Sequence, residues 1–218
     1  MTKITDIYEQ YKIMPNLQDH QLRVAAVAGL ICDSLDVQVD KESIIKACLL
    51  HDMGNIIKFD LSYTENNFPE FLEPQGLQYW QDIQNEYFEK YGKDEHEASI
   101  QIAHEIESNS SVIDLINCID GLFVEKIAKE DNLEQKICMY ADNRVSPHSV
   151  VSIEERNIEA KKRYESHPHS LDEERRIFFM NNVNSIEKQI FSFSKIKPED
   201  INNESIKIYF EDLKKFEI

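Results

Sequence analysis

A chain of 218 residues, 41 % hydrophobic and 30 % charged, has the balance of a globular protein with one sizeable domain. Its mean hydropathy is −0.50 and no apolar run reaches bilayer length, which argues against a membrane span. The net charge of −17 argues against binding nucleic-acid polymers or anionic membranes, which calls for basic patches. It leaves room for a small phosphorylated ligand, because a bound metal ion inverts the local field.

The first element read along the chain is a helix over 18–35 (QDHQLRVAAVAGLICDSL), with Asp19 as N-cap and a broad apolar face. A second helix, apolar nearly all round, is expected over 41–58 and is started by Asp40 or Ser43. Residues 60–75, with two prolines, read as a loop with at most a short helical turn. Helices follow over 76–91 and 94–107, separated by the stop signal Gly92. The next is capped by Ser110 or Ser111, runs to Asp120 and ends at Gly121; another spans 132–143, with Pro147 marking its exit. Charged and amphipathic helices are expected over 153–164 and 171–191, and a last one from Pro198 to about Lys215. No alternating strand pattern appears, so the fold class is all-α, with about eight to ten helices.

The first fifteen residues, MTKITDIYEQYKIMP, lack an apolar h-region and a small-residue cleavage site. Cys32, Cys48, Cys118 and Cys138 form no CxxC pair and lie in apolar stretches, as free buried thiols do. Both features set the expectation of a cytoplasmic protein. The chain has five glycines and no GxGxxG, Walker-type loop or GxSxG, so three common ways of building an active site are absent.

The chemistry concentrates in ACLLHDMGNIIKF, where His51 and Asp52 stand side by side in an apolar run. A buried carboxylate needs a counter-charge, and a divalent cation between the two side chains would supply it. Two ligands are too few for a metal, so others must come from further helices. His20 shares a stripe with Val24, Val27 and Ile31, and Asp142 is an acid in the largely apolar MYADNRV. His96 shares a face with Ile100 and Ala103, whereas His104 falls on the edge of that face. Arg23, Lys58 and Arg144 each follow a motif closely enough to reach a phosphate, and Asn55 and Asn143 can hydrogen-bond a substrate. His148 and the stretch His167-Pro168-His169 are weaker loop candidates, since exposed histidines are common. Trp80, Tyr87, Phe88 and Tyr91 at helical spacing read as core rather than as a base-stacking surface.

The order His20, His51-Asp52, Asp142, carried by DHQLRVAAVA, CLLHDMGNIIKF and YADNRV, resembles the HD superfamily of metal-dependent phosphohydrolases. The likeness covers about residues 15–150, and SIEERNIEAKKRY beyond it also looks like some HD proteins. It implies an all-helical fold, one divalent metal on His20, His51, Asp52 and Asp142, and hydrolysis of a small phosphorylated substrate, most often a nucleotide. Some relatives carry Glu or Lys at the place of Asn55; without either, His96 or the metal-bound Asp52 becomes the proton-transfer group. Dinuclear relatives add two histidines between the doublet and the last Asp. Here 108–141 contains no His, which favours one ion while allowing a second.

Two further readings share this scaffold: a di-iron oxygenase of the HD type, and a non-catalytic nucleotide- or metal-binding module that signals through its C-terminal helices. The expected organisation is an HD domain over 1–150 and a helical extension over 151–218 packed on the same domain. The apolar stripes of that extension either cover the domain or form a homodimer seam.

Overall fold

The structure is a computed structural model that describes residues 2–163 and 172–218, so the stretch His167-Pro168-His169 lies outside the described residues. In chain order the α-helices are α1 (Ile4–Gln10), α2 (Pro15–Ser34), α3 (Lys41–Leu50), α4 (Leu61–Asn67), α5 (Leu77–Tyr91) and α6 (Glu95–Glu105). They continue with α7 (Ser110–Cys118), α8 (Val124–Lys129), α9 (Leu133–Asp142), α10 (Ile153–Arg163), α11 (Glu173–Phe191) and α12 (Lys207–Leu213). Among the described residues β-structure is limited to isolated bridges, such as Lys3 with Glu217. The all-α fold expected from the periodicity is therefore present, with more helices than the apolar pattern suggests. The short α1, α4 and α8 are too brief to show a helical period of their own.

Helix α2 is the axis of the molecule. Ala25, Ala26, Ala28 and Gly29 are buried and leave room for other helices to approach closely. Helices α3, α9 and α12 all pack on α2. A Cβ on Gly29 would stand 3.1 Å from the Tyr209 ring of the segment containing α12. The N-terminus of α2 lies earlier than Asp19: Pro15 occupies the first turn, where its missing N–H costs nothing, and Met14 precedes it. Elsewhere the caps follow the side chains. Asp40 accepts from the Ser43 N–H at 3.1 Å, Asp94 caps α6, and Asn132 caps α9. Helix α7 is capped by Asn109 rather than by Ser110 or Ser111, and it stops at Cys118; Gly121 opens a short 3-10 turn instead of closing the helix. The final segment divides into a 3-10 turn at Pro198–Asp200 and α12.

The expected single helix over 41–58 is broken. Helix α3 ends at Leu50, residues 51–54 form a turn, and Asn55–Lys58 is a 3-10 helix. The cause is a diverted hydrogen-bond ladder. The Cys48 carbonyl, which Asp52 N–H would use in a continuing helix, accepts instead from His51 Nδ1 at 2.9 Å. Asp52 N–H turns to Gln21 Oε1 on α2, at 3.2 Å. Gly54 N–H then donates to Ser99 Oγ on α6 at 2.9 Å. The 3-10 turn is held by Gln84 of α5, whose Nε2 donates to the carbonyls of Ile56 and Phe59 at 2.7 and 2.8 Å.

The aromatic stripe of α5 is core as expected, with Trp80, Tyr87 and Tyr91 buried and Phe88 packed against them in part. Cys48 and Cys138 are buried, Cys32 and Cys118 half-buried, and all four are free thiols.

Candidate metal centre

The break in the second long helix is what assembles the site. It leaves His51 and Asp52 at the end of α3, facing His20 near the start of α2 and Asp142 at the end of α9. His20 Nε2 lies 3.0 Å from Asp142 Oδ1 and 3.5 Å from Asp52 Oδ2. His51 Nε2 lies 3.5 Å from Asp52 Oδ1 and 3.6 Å from Asp142 Oδ1. The two imidazole centroids are 5.5 Å apart. His20, His51 and Asp52 offer ligand atoms within 4.8 Å of one another, close enough to hold one metal ion.

The donor set suits a divalent cation on three counts. First, His51 donates its Nδ1–H to the Cys48 carbonyl, so in the neutral ring Nε2 carries the lone pair. Second, that Nε2 is buried without a hydrogen-bond partner among the described residues, an orphan at the point where the carboxylates converge. Third, the electrostatics call for positive charge. Burial works against a charged His51, yet Asp52 and Asp142 outweigh it and push the imidazolium up to about 9. Burial would likewise raise Asp142, but His20 and His51 hold it well below the usual carboxylate range. A proton on His51 is therefore the stand-in for a cation at this place.

A cavity of about 330 Å³ opens on this cluster, and it is lined by all four of these residues together with Asn55, Lys58 and His96. Phe59 and Phe71 form an aromatic part of its wall. His96 Nε2, like that of His51, is buried with no hydrogen-bond partner among the described residues. Lys58 pairs loosely with Glu95 at 3.9 Å.

Other candidates stand elsewhere. Arg23 does not line the cavity: it pairs with Asp19 at 3.6 Å and its guanidinium lies over the Phe210 ring at 5.6 Å. Arg144 is buried and donates to Tyr140 Oη and to the carbonyls of Val151, Pro198 and Ile201, which makes it a structural tie rather than a phosphate contact. Asn143 donates back to the Met139 carbonyl at the end of α9. His104 is exposed, and His148, also exposed, packs its ring against Phe71 without lining the cavity itself.

Four contributors do not stand out from the sequence alone: Gln21, Gly54, Arg156 and Arg163. Gln21 is a fully buried polar residue inside the apolar face that carries His20, which is its signal. Gly54 is marked by being one of only five glycines and lying two residues after the doublet. Arg156 and Arg163 line the cavity from α10 and share one face of it at a spacing of seven residues.

A family model described as HD domain matches residues 17–145. Comparison with curated proteins and with solved structures returned no match. The matched span takes in His20, the doublet and Asp142, and more than half of the chain; by sequence and by the site those residues build, the chain belongs to the HD-domain family, a superfamily made up mostly of metal-dependent phosphohydrolases.

Proposed function

We propose that the protein is a metal-dependent phosphohydrolase acting on a small phosphomonoester or nucleotide. The observation that carries this reading is the orphan Nε2 of His51, set among His20, Asp52 and Asp142 at the base of a cavity that also holds a cationic side chain and His96.

A divalent ion held by His20, His51, Asp52 and Asp142 would polarise a phosphoryl oxygen and acidify a water molecule. The rest falls to the chain. Cys48 and Gln21 fix the orientation of the doublet through its ring nitrogen and its backbone, so the ligands need little rearrangement when the ion arrives. Lys58 offsets substrate charge, and Asn55 offers hydrogen bonds from a buried position. His96, which lines the same cavity and whose Nε2 has no partner among the described residues, is the group that moves a proton between water and the leaving oxygen. Phe59 and Phe71 give the ligand's planar part an apolar wall.

The test is phosphate release from a panel of nucleotides and phosphomonoesters with Mn, Co, Ni, Mg and Zn in turn, and Asp52→Ala as the blank. Release that disappears in the variant is expected, together with loss of bound metal. Full activity of Asp52→Ala would sink the mechanism. Absence of release from every pairing would shift the reading to an oxygenase, visible as oxygen consumption by the iron-loaded protein, or to a binding module.

A further inference from the structure

Helix α10 lies beyond the matched family span, yet it contributes Arg156 and Arg163 to the wall of the same cavity. Seven residues apart, the two arginines stand on one helical face with about 10 Å of rise between them. Their heads converge on Glu159, which lies between them. Arg156 Nη1 is 2.6 Å from Glu159 Oε2, and Arg163 Nε is 2.7 Å from Glu159 Oε1.

Ion pairs at this spacing are ordinary on helix surfaces and stabilise little. Three features set this one apart. The side chains of Arg156 and Arg163 are 22 % and 20 % exposed, against 61 %, 71 % and 78 % for Lys126, Lys129 and Arg175 in pairs of the same spacing. Arg23 and Lys46 are as sheltered, but neither lines the cavity. Finally, Arg156 Nε is buried without an acceptor among the described residues, so Glu159 alone does not satisfy that guanidinium. Two guanidinium groups share the Glu159 carboxylate, and Arg156 pairs with Glu159 rather than with Asp52 or Asp142. The arrangement is a preformed fork with a donor at Arg156 left unsatisfied among the described residues.

We infer that Arg156 and Arg163 form a second anion subsite, so that the ligand carries another phosphate besides the one at the metal-ligand cluster. This inference rests on the phosphohydrolase reading for the identity of the first phosphate. The substrate class is thereby narrowed to a doubly phosphorylated small molecule. Glu159 acts as a positioning residue that keeps both guanidinium groups turned toward one point.

Calorimetric titration of the manganese-loaded full chain with AMP, ADP and adenosine 3′,5′-bisphosphate tests it. The wild type is expected to bind one of the doubly phosphorylated probes at least about tenfold more tightly than AMP. Arg156→Gln and Arg163→Gln are each expected to weaken that probe about ten- to a hundredfold, with a far smaller loss for AMP. Circular dichroism shows which variant has kept its fold, and either one suffices. Equal losses for AMP and the doubly phosphorylated probe would overturn the inference, because the arginines would then serve the first phosphate. Unchanged binding in both variants, or no preference in the wild type, would overturn it as well. The hydrolase reading fails separately: an arginine-dependent preference without phosphate release from any substrate would leave the subsite standing and remove the chemistry.

Discussion

His51 is the residue on which proton and metal compete. In the metal-free protein its imidazolium is held up at about 9, against about 6.5 in an unfolded chain. A raised pKa contributes stability that is fully present below about pH 6.5 and is lost as pH rises to about 9. The loss is on the order of 3 kcal/mol. The midpoint of thermal unfolding of chelator-treated protein should therefore fall between those pH values, whereas a metal-loaded sample should hold its midpoint. The same proton must leave when a cation binds, so manganese affinity measured by calorimetry should weaken toward low pH, with proton release on binding. His96 poses a different question, because it lines the same cavity and its Nε2 is buried without a partner among the described residues. His96→Ala should retain most of its metal while phosphate release drops about a hundredfold, as expected of a proton-transfer group. Loss of metal in step with activity would make His96 a ligand instead.

At the scale of elements, the turn over 51–54 decides the geometry, and Gly54 is its tightest point. A Cβ there would stand 2.3 Å from the Glu95 carbonyl oxygen and 2.7 Å from the Ala98 Cβ, both on α6. Neither can yield without moving the helix that carries His96. Gly54→Ala should cost about 1–3 kcal/mol or more by overpacking, read as a lower urea midpoint, and should weaken metal binding as the doublet is displaced. Ser99→Ala, which removes the acceptor of the Gly54 N–H and the hydroxyl's own bond to the Glu95 carbonyl, should cost about 1–3 kcal/mol and leave metal stoichiometry intact. The apolar run over 41–58 reads as one helix because burial alone sets the pattern there. The break comes from His51, whose ring takes the Cys48 carbonyl, and from Gln21 and Ser99, two partners remote in sequence and invisible to local periodicity.

Across the whole molecule, the segment after residue 150 is tied to the matched domain by buried polar contacts. Arg144, at the exit of α9, reaches the carbonyls of Val151, Pro198 and Ile201, and the chain ends meet where the Thr2 N–H donates to the Ile218 carbonyl at 3.1 Å. Arg144→Met strands those carbonyls and should cost more than about 3 kcal/mol, seen as one unfolding transition at lower urea rather than as two. The candidates His20, His51, Asp52 and Asp142, which the structure brings together, were legible as candidates because an ionisable group inside an apolar helical stripe is stable there only with a partner of opposite charge. The cationic candidates were not. Arg23, Lys58 and Arg144 all sit beside motifs, but only Lys58 faces the cavity. A long cationic side chain takes its direction from tertiary neighbours, here the Phe210 ring for Arg23 and the backbone carbonyls for Arg144. By itself the amino-acid order determined the all-α class, the approximate spans of most of the longer helices and the four ligand candidates, since periodicity and buried charge are local or nearly local signals. Only the tertiary structure decided where the doublet's helix stops and that α10 turns two arginines into the cavity, because both depend on contacts between segments far apart along the chain.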